Sequence, residues 1–203
     1  MSTDNFNRAD SADRGVNWTS VSGFRTRIDT NESEGNNAGD PALEYYNPDT
    51  PGPAQGAKII LRAPIETTAG GGQGPAIRIQ TGADTGYIVR CNTVAAERFQ
   101  VYRRIAGADG TAIMGYTGAA PTAGDLVDLR VNDQFDLELY INAVQRATFT
   151  DTDANKIASG CYGDFGLIIN EFIRWDDWEG YEVGEPPVPA PEVLRTVRSS
   201  LRW

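Results

Sequence analysis

Cleaving a glycosidic bond takes two carboxylates facing each other across a cleft, one as acid and one as nucleophile or base. The nearest such grouping in this chain is Asp176, Asp177 and Glu179 in the run RWDDWEG, where strand alternation would set Asp177 and Glu179 on one face. The chain has no histidine. Serine–histidine triads, cysteine–histidine dyads and imidazole-ligated zinc are therefore ruled out. Holding a sugar without cleaving it needs exposed rings for stacking and Asp or Asn oxygens for hydroxyls. Tyr45, Tyr46, Trp175 and Trp178 are the candidate rings, and Trp18 reads as core. Trp175 and Trp178 lie three apart, so in a strand they face opposite sides, and one could be buried with the other exposed. Asp151 and Asp153 could supply oxygen ligands to calcium, a hard cation. No other cofactor is indicated.

The elements that must position these residues are strands. In Phe135–Phe149, FDLELYINAVQRATF, the apolar Phe135, Leu137, Leu139 and Ile141 alternate with Asp136, Glu138 and Tyr140. That is a period of two, broken at Asn142-Ala143 and then resumed, which predicts a β-hairpin. Leu137, Leu139 and Ile141 should be buried, with Asp136 and Glu138 outside. The same grammar predicts strands at Val16–Ser22, Lys58–Ala63, Ala76–Gln80, Tyr87–Asn92, Arg98–Ile105, Thr111–Thr117, Leu126–Val131, Gly163–Ile169 and Glu171–Val183, with Asp109-Gly110 as another hairpin turn. The polar, Gly/Asn/Pro-rich run 29–57 predicts a long surface loop. Many short strands separated by turn signals imply an all-β sandwich or barrel.

At 203 residues the chain can bury a core as one domain. Its net charge of −10 argues against nucleic acid and against an anionic membrane surface. No apolar run is long enough to span a bilayer, and MSTDNFNRAD does not resemble a secretion signal. These features suit cytoplasmic synthesis followed by release inside a particle. Cys91 and Cys161 are expected to be buried free thiols. Arg103-Arg104 reads as a solvated strand end.

The end of the chain changes character. Pro186, Pro187, Pro189 and Pro191 make 184–192 an extended spacer. Beyond it Val193, Leu194, Val197 and Leu201 fall at helical spacing, interleaved with Arg195, Arg198 and Arg202 and closed by Trp203. Residues 193–203 are thus expected to form an arm that docks on a partner subunit.

The opening run, with Asp4, Phe6, Arg8, Ala9, Asp10 and then Trp18, resembles the first strand of a concanavalin A-like (laminin G-like) jelly roll. The pair Tyr87–Asn92 and Arg98–Ile105, the hairpin FDLELYINAVQ, the loop and return DTDANKIASGCYGDFGL and the ending IRWDDWEGYEV are similar to later parts of that family. The resemblance spans residues 4–183. It implies two curved antiparallel sheets packed face to face, with the final strand beside the first, so that Phe6–Trp18 should neighbour Phe172–Tyr181. Glucanases of this fold carry a Glu-x-Asp-x-x-Glu run, which this chain lacks, so an enzyme is not expected.

The expected architecture is an all-β, two-sheet antiparallel jelly-roll sandwich over residues 1–183 with a proline-rich C-terminal arm. The leading functional expectation is a non-enzymatic virion structural protein, a phage head decoration or tail component. It would form an oligomer or repeated lattice and be anchored to capsid or tail proteins by its arm. The alternative is a glycan-binding adhesion module of lectin-like fold that recognises a cell-surface glycan. A glycoside hydrolase is the third.

Overall fold

A computed structural model describes residues 1–22, 24–35, 39, 41–94, 98–167, 169 and 173–184. The described residues form fifteen strands: β1 (Ser2–Asp4), β2 (Trp18–Ser20), β3 (Thr26–Asp29), β4 (Glu32–Gly35), β5 (Pro41–Tyr46), β6 (Gln55–Arg62), β7 (Gly72–Ile79), β8 (Gly86–Cys91), β9 (Phe99–Ile105), β10 (Ala108–Tyr116), β11 (Leu126–Val131), β12 (Asp136–Ile141), β13 (Val144–Thr150), β14 (Cys161–Leu167) and β15 (Arg174–Glu182). They make two antiparallel sheets, as a jelly-roll sandwich requires. One has the order β13-β12-β11-β6-β15-β4-β3, with β1 also paired to β15; the other runs β10-β9-β8-β7-β14-β5-β2.

The hairpin was legible. Asn142 and Ala143 both take positive φ, 52° and 61°, which matches the twist of the strands they join. Leu137 and Leu139 are fully buried and Ile141 nearly so, while Asp136, Glu138 and Tyr140 are partly exposed. Their partners across the sheet, Val127, Leu129 and Val131, are also fully buried. Cys91 and Cys161 are buried free thiols.

Three expectations are corrected. The β9–β10 turn is Ala106-Gly107 (φ 48° and 83°), and Asp109-Gly110 lies inside β10. Only Gly107 needs no special tolerance for that conformation, so local composition misplaced the turn. The run 29–57 is not one loop: it carries β4, β5 and the start of β6, with Leu43 fully buried. The chain closes through β1, where Ser2 faces Gly180 and Asp4 faces Trp178, while β2 pairs with β5 in the other sheet. The opening motif still meets the last strand. Trp18 Nε1 donates to Asp4 at 2.8 Å, and the Trp18 and Trp178 rings lie 4.8 Å apart, edge to face. Phe172, the spacer beyond Gly184 and the expected docking residues Val193–Trp203 lie outside the described residues.

The sandwich interior also holds one ion cluster. Arg14, with its side chain fully buried, is ion-paired to Glu44 and Asp164, neighbours across β5 and β14. Trp175 Nε1 donates to Asp164 at 2.8 Å and Thr26 Oγ1 to Glu44 at 2.6 Å. The Arg14 guanidinium sits 3.6 Å from the Trp18 ring centroid. A buried charge persists only when its partners are this complete.

Candidate functional site at the beta9–beta10 end of the sandwich

β9 carries two arginines in sequence, so they point to opposite faces. Arg103 faces the same way as its cross-strand partner Tyr87, and Arg104 faces outward beside Gly86. Neither is a solvated strand end, as the sequence suggested. Arg104 is 2% exposed and held by Asp84 at 2.5 Å and Asp109 at 2.6 Å. Asp109 also pairs with Arg90.

Arg104 also reaches across the outer face of the seven-stranded sheet. Arg104 on β9 and Phe165 on β14 are separated by β8 and β7. In a flat sheet that is about 14 Å at the usual strand spacing. Yet the Arg104 guanidinium lies 5.5 Å from the Phe165 ring, and Phe165 is fully buried on the outer face. The arginine side chain thus reaches along the outer face to the ring, and that face is partly covered by its own side chains.

Arg103 belongs to an open cleft of about 450 Å³ at the β9–β10 hairpin, lined also by Ile105, Thr111, Ile113 and Asp153. The acidic groups arrive on the loop after β13. Asp151 is 2% exposed and takes two hydrogen bonds from Arg103, Nε at 3.1 Å and Nη2 at 2.9 Å. Arg103 Nη1 lies 3.0 Å from Asp153, whose carboxylate is half open to solvent. Buried Tyr87 donates its hydroxyl to Asp151 at 2.6 Å and accepts the Ile157 N–H at 3.1 Å. Arg78 secures the same loop from inside, donating to the carbonyl of Ile157 at 2.8 Å and also to those of Pro53 and Asn132. The site is thus built on a strand and a loop tied down from beneath.

The electrostatics follow from this wiring. Burial and the hydrogen bond to Asp151 push the Tyr87 hydroxyl well above its ordinary range, so it stays a donor. The Asn155 backbone N–H and Arg103 hold Asp153 below the ordinary carboxylate value of 3.8. Asp153 is therefore an anion at neutral pH and is not poised to act as a general acid.

The other predicted site residues are scattered. Trp175 and Trp178, expected as stacking platforms, are both 0% exposed, which corrects that expectation because stacking needs an open ring face. A bulge between Asp176 and Glu179, with Asp177 at φ 48°, adds a residue between them and returns both rings to the core side. Tyr46 is half-buried against Trp18 and Trp178. Tyr45 lies partly exposed on the outer face of the seven-stranded sheet, packed on the cluster of Leu43 and Phe165. Asp151 and Asp153 do converge, both on Arg103; among the described residues no group of three or more acidic or cysteine side chains is placed to hold a metal. Asp176 and Glu179 are ion-paired to Arg62 and Lys58 on the outside of the eight-stranded sheet. Arg103 itself was missed. Its one signal in the sequence was a basic doublet inside an acidic chain.

No protein-family model and no curated protein matches the chain by sequence. Solved structures do share its fold. The carbohydrate binding module CBM66 from Bacillus subtilis superposes with a TM-score of 0.60 at 14% identity, over 81% of this chain and 94% of that one. A legume lectin-like domain from Entamoeba histolytica gives 0.54 at 15% identity, over 83% and 91%. A xylan β-1,4-xylosidase from Bacillus halodurans gives 0.57 at 12% identity, with this chain spanning only 39% of its length. The class defined is an all-β jelly-roll sandwich, consistent with the concanavalin A-like fold; at these identities the likeness is one of fold.

Proposed function

We propose that this chain is a non-catalytic glycan-binding module whose site is the Arg103 cleft. The observation that carries the reading is the pairing of Arg103 and Asp153 beside the apolar Ile105 and Ile113 in a cleft of about 450 Å³, with buried Asp151 bracing Arg103 from beneath. A few fixed polar groups set among apolar surface make up the usual composition of a small-ligand site. The fold neighbours named as carbohydrate-binding or lectin-like support it. Catalysis is disfavoured because Asp151 and Asp153 are both ion-paired to Arg103, and Asp153 is held below the ordinary carboxylate value rather than raised to protonate a leaving group. The virion-anchoring role expected from the C-terminal arm rests on residues beyond those described, and the glycan reading takes its place. The test is binding of the whole chain to an oligosaccharide array, alongside an assay for released reducing ends. Retention of at least one glycan without turnover is expected; an array blank for every glycan would sink the proposal.

A further inference from the structure

The donors of Arg103 are only partly used. Its Nε–H and one N–H of Nη2 go to Asp151, and one N–H of Nη1 goes to Asp153. Among the described residues this leaves one N–H on each terminal nitrogen, on a side chain 15% exposed at the cleft wall. Next to them, Asp153 is 45% exposed and offers only lone pairs. A ligand atom that accepts from Arg103 and also donates to Asp153 must be a hydroxyl oxygen. A carboxylate or sulfate cannot donate, and any such anion, phosphate included, would here meet two carboxylates against one guanidinium in a chain of net charge −10.

Resting on the glycan reading above, we propose that the cleft selects neutral sugars through a pair of adjacent hydroxyls. Arg103 donates to both oxygens and Asp153 accepts a hydrogen bond from one hydroxyl, while Ile105 and Ile113 cover the C–H face of the ring. Sugars that end in a uronic acid or sialic acid are excluded. Asp151 is a positioning residue: its oxygens are saturated by Arg103, Tyr87 and the Asp153 N–H, and it fixes the plane of the guanidinium.

The experiment titrates the whole chain with neutral gluco-, manno-, galacto- and fructo-oligosaccharides, and with uronic-acid-terminated and sialylated counterparts. Wild type is compared with Asp153→Asn and Asp153→Glu. Asp153 is exposed enough that both variants should fold, which a thermal melt checks. Expected is binding of a neutral sugar that Asp153→Asn weakens by on the order of 10- to 100-fold, the effect of losing a hydrogen bond to a charged group, with no binding of the acidic set. Tight binding of an acidic glycan that Asp153→Asn enhances would overturn the selectivity while leaving the module reading intact. Neutral binding indifferent to both variants would overturn the assignment to this cleft. Failure of every sugar to bind would remove the glycan reading itself.

Discussion

Trp175 and Trp178 stand three residues apart on β15 and both project into the core. The residue added by the bulge is Asp177, a non-glycine at positive φ, and β6 resumes its register at Lys58 opposite Glu179. An L side chain there costs about 1–2 kcal/mol unless, like Asp or Asn, it is short and polar. Asp177→Gly should stay within about 0.5 kcal/mol of wild type, whereas Asp177→Val should cost about 1–2 kcal/mol. Trp178→Ala should cost about 3–5 kcal/mol. Urea denaturation measures all three, and equal effects for the valine and glycine variants would show that the bulge is not a conformational constraint.

The β12 register makes a second comparison. Leu139 is fully buried between Leu129 on β11 and Ala147 on β13. Leu139→Ala should destabilise by about 2–5 kcal/mol. Asp136→Ala, on the opposite face, should cost far less. Similar drops in melting temperature would contradict the register.

The Arg14 cluster should behave as a unit. Arg14→Met strands Glu44 and Asp164 as uncompensated buried carboxylates, at a cost of about 3–5 kcal/mol at neutral pH. Adding Glu44→Gln and Asp164→Asn should recover most of that, because the Thr26 and Trp175 donors still find acceptors. Burial already holds the Asp164 carboxyl above its ordinary range. A raised acid favours the folded state at low pH and loses that contribution as pH rises, so the single variant should be less damaged at pH 4 than at pH 7. Additive losses in the triple variant would dissolve the cluster into independent contacts.

Asp4 has the opposite sign. Burial pushes its carboxyl up, but hydrogen bonds from Arg8, Trp18 and the Phe6 N–H outweigh it and the net shift is below 3.8. A depressed acid stabilises above its unfolded value, and that stability is lost as pH falls through the folded one. Asp4→Asn should therefore lower the melting temperature at pH 6 and have little effect near pH 2. A pH-independent effect would show that the ionised carboxylate is not what holds β1 to the Trp18 segment.

The alternation of Leu137, Leu139 and Ile141 with Asp136 and Glu138 determined a strand and its buried face by itself. Outward or inward is fixed by a two-residue period that any stretch of chain carries locally, and most strands from Lys58 to Val131 were legible for that reason. The polar run 29–57 concealed β4 and β5, because their burial comes from pairing with β15 and β14 far along the chain. The tertiary structure alone decided that Trp175 and Trp178 share a face, since a bulge exists only against the partner strand whose register it interrupts. It also decided the site. Arg103 and Asp151 lie 48 residues apart, and nothing local to either names the other. They meet because β9 and the loop after β13 reach the same end of the sandwich, where Tyr87 and Arg78 hold that loop in place.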